Sequence, residues 1–216
     1  MITQKTVNTY YIYPLSSAES PWTNIPVAHI KCFPWDTNGY MPKTIAQLAY
    51  TDQGLHVRLE SYEKSIAAKY HDLNDPVHKD SCMEFFFNPN PSKDNRYLNF
   101  EINAIGTLHL GIGGERSTRR HMNEVDPKTF KIQPSVTVNT LEGYKGPSWV
   151  LQYFIPFSWL EEYYGPVSFQ SGHKMMGNFY KCGDDTAFPH YGCWNLIETE
   201  KPDFHRPEYF GELIFA

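Results

Sequence analysis

Several features that would assign a function directly are missing from this chain. It has only 4 cysteines, with no Cys-x-x-Cys pair and no metal-type spacing, so neither a zinc ribbon nor a thioredoxin-like redox motif is indicated. The formal net charge is -5 and the 19 Lys and Arg residues are dispersed, which argues against nucleic acid or an anionic membrane as a primary partner. No internal repeat at a solenoid or propeller period is visible.

Long hydrophobic runs are also absent. No run approaches the length of a membrane span, and residues 1–7 lack the basic start and apolar centre of a secretion signal. We therefore expect a soluble, cytoplasmic protein, or a secreted one if a leader has been removed. Nothing in the sequence demands a stable assembly, so a monomer or weak oligomer is expected.

Aromatic and turn-forming residues, by contrast, are abundant. Aromatics make up 16% of the 216 residues, and 16 Pro and 14 Gly are spread along the whole chain. This mix is typical of many short strands joined by loops, and one all-β domain can reach this length. The sequence predicts a single domain over 1–216, an antiparallel β-sandwich of two sheets, jelly-roll or immunoglobulin-like, with minor short helices.

Local patterning places the elements of this sandwich. Thr51 to Gly54 predicts a hairpin turn, because Asp and Gly readily adopt turn conformations. Short helices are predicted at 63–70 and 158–163. The predicted strands are 7–13, 44–50, 55–62, 81–87, 98–103, 107–112, 136–140, 149–155, 174–182, 193–198 and 212–215.

The strand predicted at 98–103 alternates apolar and polar side chains. Successive residues of a strand point to opposite faces, so one face is predicted to carry Leu98, Phe100 and Ile102 and the other Asn99, Glu101 and Asn103. Antiparallel sheets commonly leave one face in water, so the polar set is explained by solvation alone if nothing binds it. Because Asn is depleted in strands, the alternative is that this face binds a polyhydroxylated ligand.

The strand predicted at 81–87 has an acid among aromatic side chains. Met83, Phe85 and Phe87 are predicted on one face, and Cys82, Glu84 and Phe86 on the other. Removing a bare carboxylate from water is costly, so Glu84 is expected either to have a partner or to have its ionisation suppressed.

Five segments together resemble a known family. They are NDPVHKDSCMEFFFNP at 74–89, YLNFEINAIG at 97–106, IPF at 155–157, GNFYKCGD at 177–184 and PDFHRPEYFGELIF at 202–215. In this order and spacing they resemble carbohydrate-binding module family nine, in the family-nine-like form that occurs as stand-alone bacterial chains. The resemblance covers most of the chain and implies a β-sandwich involved in polysaccharide metabolism.

The resemblance implies non-catalytic binding of the end of a mono- or oligosaccharide between aromatic side chains. The positions that match the family's sugar site are Glu84, Asn99, Glu101, Asn178, Tyr180 and Phe204. Asn103 joins them from the polar face, and His205 because it lies beside Phe204. The chain departs from the family pattern at one wall, since Val77 or His78 stands where a Trp is expected, and Phe204 replaces a second Trp.

Other functions remain open from sequence. Glu84 and Glu101 could be the paired carboxylates of a glycoside hydrolase. A haem or metal site is the less favoured alternative, with Met83, Met175, Met176 and several of the 9 His as candidates in principle and no ligand pattern. No cofactor is predicted, although structural calcium near Asp72, Asp75 and Asp80 is left open.

The sequence leaves the partner of Lys181 open and places a cluster of three arginines at the surface. Lys181 is predicted either to bind a sugar hydroxyl or to pair with Asp184 or Asp185. Arg116, Arg119 and Arg120 are predicted to form a solvated loop.

Overall fold

The protein is built almost entirely from short strands. The computed structural model describes residues 7–15 and 22–216. The strands are β1 Thr9–Pro14, β2 Ala28–Ile30, β3 Thr44–Tyr50, β4 Gly54–Ser61, β5 Cys82–Asn88, β6 Tyr97–Asn103, β7 Leu108–Gly113, β8 Arg120–His121, β9 Gln133–Pro134, β10 Trp149–Pro156, β11 Lys174–Cys182, β12 Tyr191–Cys193 and β13 Gly211–Phe215. Two short α-helices, α1 Val138–Leu141 and α2 Phe157–Tyr164, and 3₁₀ turns at Val77–Lys79, Pro127–Phe130 and Pro207–Tyr209 complete the elements.

The strands form one curled, mixed sheet whose two halves meet at β1. The order is β8-β7-β6-β5-β11-β13-β1-β3-β4-β10-β9, with β12 beside β11 and β2 beside β3. Residues Thr9 to Ile12 pair with β13, whereas Tyr13 and Pro14 pair with β3, and both pairings are parallel. The prediction of a mostly β fold with short helices is confirmed, but the prediction of purely antiparallel pairing is wrong at β1.

The predicted hairpin is present in the second half. Strands β3 and β4 pair antiparallel, from Thr44 opposite Ser61 to Tyr50 opposite Leu55. The turn is closed by the Thr51 backbone N–H, which donates to the Gly54 carbonyl at 3.0 Å.

The main hydrophobic core joins the two halves. Phe100 of β6 stacks against Tyr153 of β10 with ring centroids 5.9 Å apart, and Phe130 and Trp159 meet the same ring edge-on. The alternation predicted for β5 and β6 is therefore correct, since Leu98, Phe100 and Ile102 all face this core together with Met83, Phe85 and Phe87. A second, smaller cluster lies on the opposite face of these strands and includes Phe86, Tyr97, Tyr180, Phe204 and Phe210.

The helix predicted at 63–70 is wrong. Its backbone N–H groups are used by side chains from another segment, because Ala67 donates to Ser81 Oγ and both Lys69 and Tyr70 donate to Asp80 Oδ2. These bonds replace the i to i−4 ladder of a helix. The chain here is irregular.

Two strand predictions also need correction. Residues 136–140 contain the start of α1, in which Thr140 Oγ1 accepts from the Thr137 backbone N–H at 2.9 Å. Of the strand predicted at 193–198 only Cys193 is in a strand, β12. One further backbone bond runs from the Trp194 N–H to the Phe179 carbonyl at 2.9 Å, and the Asn195 N–H then donates to the Asn178 side chain instead of to the backbone.

In the described parts of the chain, no helix has the length and apolar character needed to cross a bilayer.

Candidate functional site

Four polar side chains lie in one row across the first half of the sheet. Tyr180 of β11 is directly opposite Glu84 of β5, Glu84 is opposite Glu101 of β6, and Glu101 is opposite His109 of β7. Residues directly opposite each other in an antiparallel sheet point to the same face. The register of four strands thus gathers two carboxylates and an imidazole on the face that carries the smaller cluster.

Three members of this row, Glu84, Glu101 and His109, line a cavity of about 430 Å³. Strands β5, β6, β7 and β11 supply its floor, and the loops at 114–119, 183–190 and 202–205 supply its walls. The residues that line it are His78, Glu84, Phe86, Glu101, His109, Arg116, Arg119, Cys182, Asp184, Tyr191, Pro202, Asp203, Phe204 and His205.

Glu84 is the most strongly perturbed acid of the cavity. The residue is 2% exposed. Its Oε1 accepts the Cys182 thiol at 3.0 Å, whereas Oε2 is buried without a hydrogen-bond partner among the described residues. Burial, and next the negative charge of Glu101, hold the pKa of Glu84 well above its usual range. As the sequence predicted, an acid among aromatics has its ionisation suppressed.

Glu101 is compensated by its neighbours. Its Oε1 accepts Asn99 Nδ2 at 2.9 Å and Arg119 Nη1 at 3.3 Å, and the latter contact is an ion pair with both side chains largely buried. The two adjacent acids therefore differ in chemistry, because only Glu101 has a cation in contact.

Arg119 also fixes the state of His205. Its Nη1 donates to His205 Nε2 at 2.8 Å, and His205 Nδ1 lies 2.8 Å from the Tyr97 hydroxyl. Since a guanidinium can only donate, Nε2 must be unprotonated and Nδ1 carries the hydrogen. Burial, followed by the charge of Arg119, lowers the pKa of His205 to about 2, so the ring stays neutral.

The aromatic side of the cavity is formed by Phe86 and Phe204. Phe204 stacks on Tyr180 with centroids 4.2 Å apart and planes 9° from parallel, and the Tyr180 hydroxyl donates to the Phe204 carbonyl at 3.1 Å. The Trp35 ring packs beside the Phe204 ring, with the two centroids 6.0 Å apart. Phe204 is only 9% exposed, so most of its ring surface is covered by protein.

The predicted site residues divide into two groups. Glu84, Glu101, Phe204 and His205 line the cavity. Asn99, Asn103, Asn178 and Tyr180 do not, although all are buried on the same side of the sheet. Asn103 bonds to Asp80 and to the Tyr70 carbonyl, and Asn178 bonds to the backbone of Phe179 and Asn195. The polar face of these strands is therefore not fully exposed to solvent, which corrects the expectation of a solvated face. Half of the predicted site residues are covered and do not line the cavity.

Several residues of the cavity were missed by sequence reasoning. Arg119 was assigned to a solvated loop, yet its side chain is 15% exposed and contacts Glu101, while Arg116 pairs with Asp203. Arg116 and Arg120 behave as predicted, because both side chains are exposed and form surface pairs, with Asp203 and with Glu124. A faint signal for Arg119 is Gly111 in β7, where a Cβ would meet Arg119 Cδ at 3.1 Å.

The structure bears on the glycosidase, haem, calcium and Lys181 alternatives that the sequence left open. Glu84 and Glu101 lie directly opposite each other on adjacent antiparallel strands, and Glu101 is paired with Arg119. Met83 and Met175 are core residues, and Met176 packs against the smaller cluster. The Asp75 and Asp80 carboxylates accept backbone N–H groups of the 69–72 segment, and structural calcium there stays an open alternative. Lys181 contacts neither Asp184 nor Asp185 but pairs with Glu63.

Comparison with known sequences decides the family. The sequence model of carbohydrate-binding family 9 matches residues 21–215. The chain belongs to this family. Its members are non-catalytic carbohydrate-binding modules, so the prediction of a binding protein rather than an enzyme is confirmed. No sequence among the curated proteins matches the chain.

Solved structures agree with the family-9 fold. A proposed carbohydrate-binding protein from Bacteroides uniformis is 27% identical, with a TM-score of 0.82 over 98% of this chain and 100% of its own. A family-9 module from Caldicellulosiruptor kristjanssonii, solved with glucose, is 14% identical, with a TM-score of 0.64 over 97% of this chain and 96% of its own. Its complex with cellotriose gives a TM-score of 0.63 at 13% identity, over 96% and 93% of the two chains.

Proposed function

We propose that the cavity around Glu84 and Glu101 binds the end of a mono- or oligosaccharide. Glu101, Arg119 and His109 supply hydrogen-bonding groups on the sheet face, and Glu84 supplies a buried carboxyl group beneath them. Phe86 and Phe204 supply apolar surface for a C–H face of the sugar ring. Carbohydrate binding in general follows from membership of the family. Its placement in this cavity rests on the chemistry of the residues that line the cavity.

The observation that carries the placement is the unpartnered oxygen of Glu84. Buried polar atoms without a partner are rare and costly, and Oε2 of Glu84 lies in a residue that lines a cavity. A sugar hydroxyl entering the cavity can bond this oxygen. The volume of about 430 Å³ also lies within the range of small-ligand sites, about 300 to 1,000 Å³.

The balance of interactions predicts weak, reversible binding. Hydrogen bonds to charged groups contribute roughly 1.5 to 3 kcal/mol each, and the cost of association offsets much of the sum. The missing Trp wall reduces stacking further, because Val77 is fully buried and only His78 reaches the cavity from that turn. We expect dissociation constants of about micromolar to millimolar.

Two wider features of the fold support the proposal. The two halves of the curled sheet pack face to face through Phe100 and Tyr153, which supports a sandwich. The related modules solved with glucose and cellotriose have a similar fold, and on that basis these two sugars are the first ligands to test.

Isothermal titration calorimetry against glucose, cellotriose, galactose and mannose tests the placement. We expect the native protein to bind at least one of them, and Glu101→Gln to weaken that binding about tenfold or more, since one charged hydrogen bond contributes roughly 1.5 to 3 kcal/mol.

The matched control is Gln133→Ala. Gln133 is exposed in a second groove of about 450 Å³ that also contains Trp22 and Gln152. This variant should bind sugar as the native protein does. Binding that is lost in Gln133→Ala and kept in Glu101→Gln would move the sugar to the second groove, and no heat with any sugar would reject the proposal.

A further inference from the structure

A cluster of three metal-type donors lies at the floor of the cavity. Cys82, Glu84 and Cys182 place two thiol sulfurs and a carboxylate oxygen within 4.8 Å of one another, and all three side chains are buried. Within the part of the chain that the structure describes, it is the only such group of His, Cys, Asp and Glu donors.

Strand register creates this cluster. Cys82 of β5 is directly opposite Cys182 of β11, and Glu84 is two residues from Cys82 on the same face. Glu84 therefore lies diagonal to Cys182, a separation that a long side chain spans. Its Oε1 is 3.0 Å from Cys182 Sγ and 4.0 Å from Cys82 Sγ.

Two independent observations separate this cluster from ordinary core cysteines. The first is the Glu84 Oε2 atom, buried and without a hydrogen-bond partner among the described residues. The second is access, because Glu84 and Cys182 both line the cavity while Cys82 lies behind them. The other two cysteines lack these features: Cys193 lies opposite Cys32 in an isolated bridge away from the cavity.

We propose that Cys82, Glu84 and Cys182 bind a thiophilic divalent cation of the zinc class, with its fourth position facing the cavity. Zinc is bound tetrahedrally by sulfur at about 2.3 Å and carboxylate oxygen at about 2.0 to 2.2 Å, so its donor atoms lie about 3.6 to 3.8 Å apart. The observed spacings need to change by less than about 1 Å to reach this geometry.

Binding of the ion changes the protonation of the cluster. Binding breaks the two S–H bonds, and the protons leave to solvent together with the proton of Glu84. Two thiolates and a carboxylate carry three negative charges, one more than the ion neutralises.

Cobalt provides the test, because Co²⁺ takes the same tetrahedral sites and its thiolate complexes absorb in the near ultraviolet. The full chain, reduced with a phosphine and free of sugar, is titrated with Co²⁺ and the ion is then displaced with Zn²⁺. We expect a charge-transfer band that saturates at one ion per chain and disappears when Zn²⁺ is added.

The variants decide which thiols are involved. Cys182→Ala and Glu84→Gln should weaken Co²⁺ binding more than about 100-fold, because loss of an outer-shell partner alone costs about 10- to 100-fold. Cys193→Ala is the matched control and should keep the band unchanged. Thermal unfolding of the metal-free variants identifies any that do not fold, and Glu84→Gln, which keeps both thiols, provides the test if Cys182→Ala fails.

The proposal goes beyond sugar binding and does not rest on it. Sugar calorimetry is run with a chelator and the cobalt titration without sugar, so each can fail alone. No charge-transfer band in the reduced native protein would overturn the metal site. So would a band that Cys182→Ala and Glu84→Gln leave unchanged, or one that Cys193→Ala removes.

Discussion

Two buried glutamates of this protein differ in how completely their carboxyl oxygens are hydrogen-bonded. The side chain of Glu63 is 1% exposed, and its carboxylate has three partners: Lys181 Nζ at 3.3 Å, Ser81 Oγ at 3.1 Å and the Trp149 indole N–H. Glu84 is equally buried, yet one of its oxygens has no partner among the described residues. Glu63 is enclosed by the fold, whereas Glu84 opens onto a cavity.

The difference separates an acid that stabilises the fold from one that is available to a ligand. A buried charge with a complete set of partners is costly to disturb, because removing one partner leaves the other charged and dehydrated. Glu84, whose pKa is raised by burial, has no contacting cation among the described residues and so none to lose. Sequence position does not distinguish them, but the number of hydrogen-bond partners does.

The largest expected effect is on the stability of the enclosed pair. Lys181→Met should lower the free energy of unfolding by about 3 to 5 kcal/mol, since it leaves Glu63 buried without its cation. Glu84→Gln should cost less than about 1.5 kcal/mol, the net value of an ordinary hydrogen bond. Urea unfolding of the two variants measures both. Equal losses in the free energy of unfolding would mean that the two acids contribute equally to stability.

A smaller effect is expected where the sheet makes room for Arg119. In Gly111→Ala the new Cβ would lie 2.7 Å from Asn99 Oδ1 and 3.1 Å from Arg119 Cδ, so both side chains must move. We expect a loss of about 1 to 3 kcal/mol in stability, as for other overpacked sites, together with weaker sugar binding.

The control for this change is Gly114→Ala in the adjacent loop. Its new Cβ would meet nothing closer than Asn95 at 3.4 Å, an ordinary contact. If both alanine variants bind sugar equally well, the position of Arg119 over Glu101 is unimportant for the ligand.

The smallest expected effect is a pH dependence from the neutral His205. Its folded pKa is lowered to about 2, whereas in the unfolded chain it titrates near 6.5. Below pH 6.5 the unfolded state therefore binds the extra proton, and stability falls as the pH decreases, by up to about 1.4 kcal/mol per pH unit.

Urea unfolding between neutral pH and pH 5 measures this slope. His205→Gln should show a shallower decline than the native protein, because the variant cannot take up that proton. His190, beside Glu63, has its pKa lowered to about 3 and remains in both proteins, so its contribution cancels. Parallel curves for the two proteins would show that His205 is charged in the fold.

Much of the fold could be predicted because local patterns are strong. The two-residue alternation of Leu98, Phe100 and Ile102 identified the core face correctly, and the turn at Thr51 to Gly54 identified its hairpin. The parallel pairing of β1 could not be predicted, because it depends on two strands distant in sequence.

The site was predictable only where a residue's own strand determined its position. Glu84 and Glu101 reach the cavity because their strands alternate. Arg119 was missed because a loop returns it to the sheet, and the Lys181 partner was missed because Glu63 lies on an irregular segment far away in the sequence. Asn103 and Asn178 satisfied the same pattern but are consumed by hydrogen bonds to backbone and neighbouring side chains. The packing of loops against the sheet determines which polar side chains remain without partners. A local sequence pattern does not predict that packing.

The most direct test of the central claim is a crystal structure of the protein soaked with the sugar that calorimetry identifies. We predict density for a sugar ring in the cavity, with hydroxyls within hydrogen-bonding distance of Glu84 and Glu101 and one ring face against Phe204. A sugar bound in the groove beside Trp22, with the cavity holding none, would contradict the account.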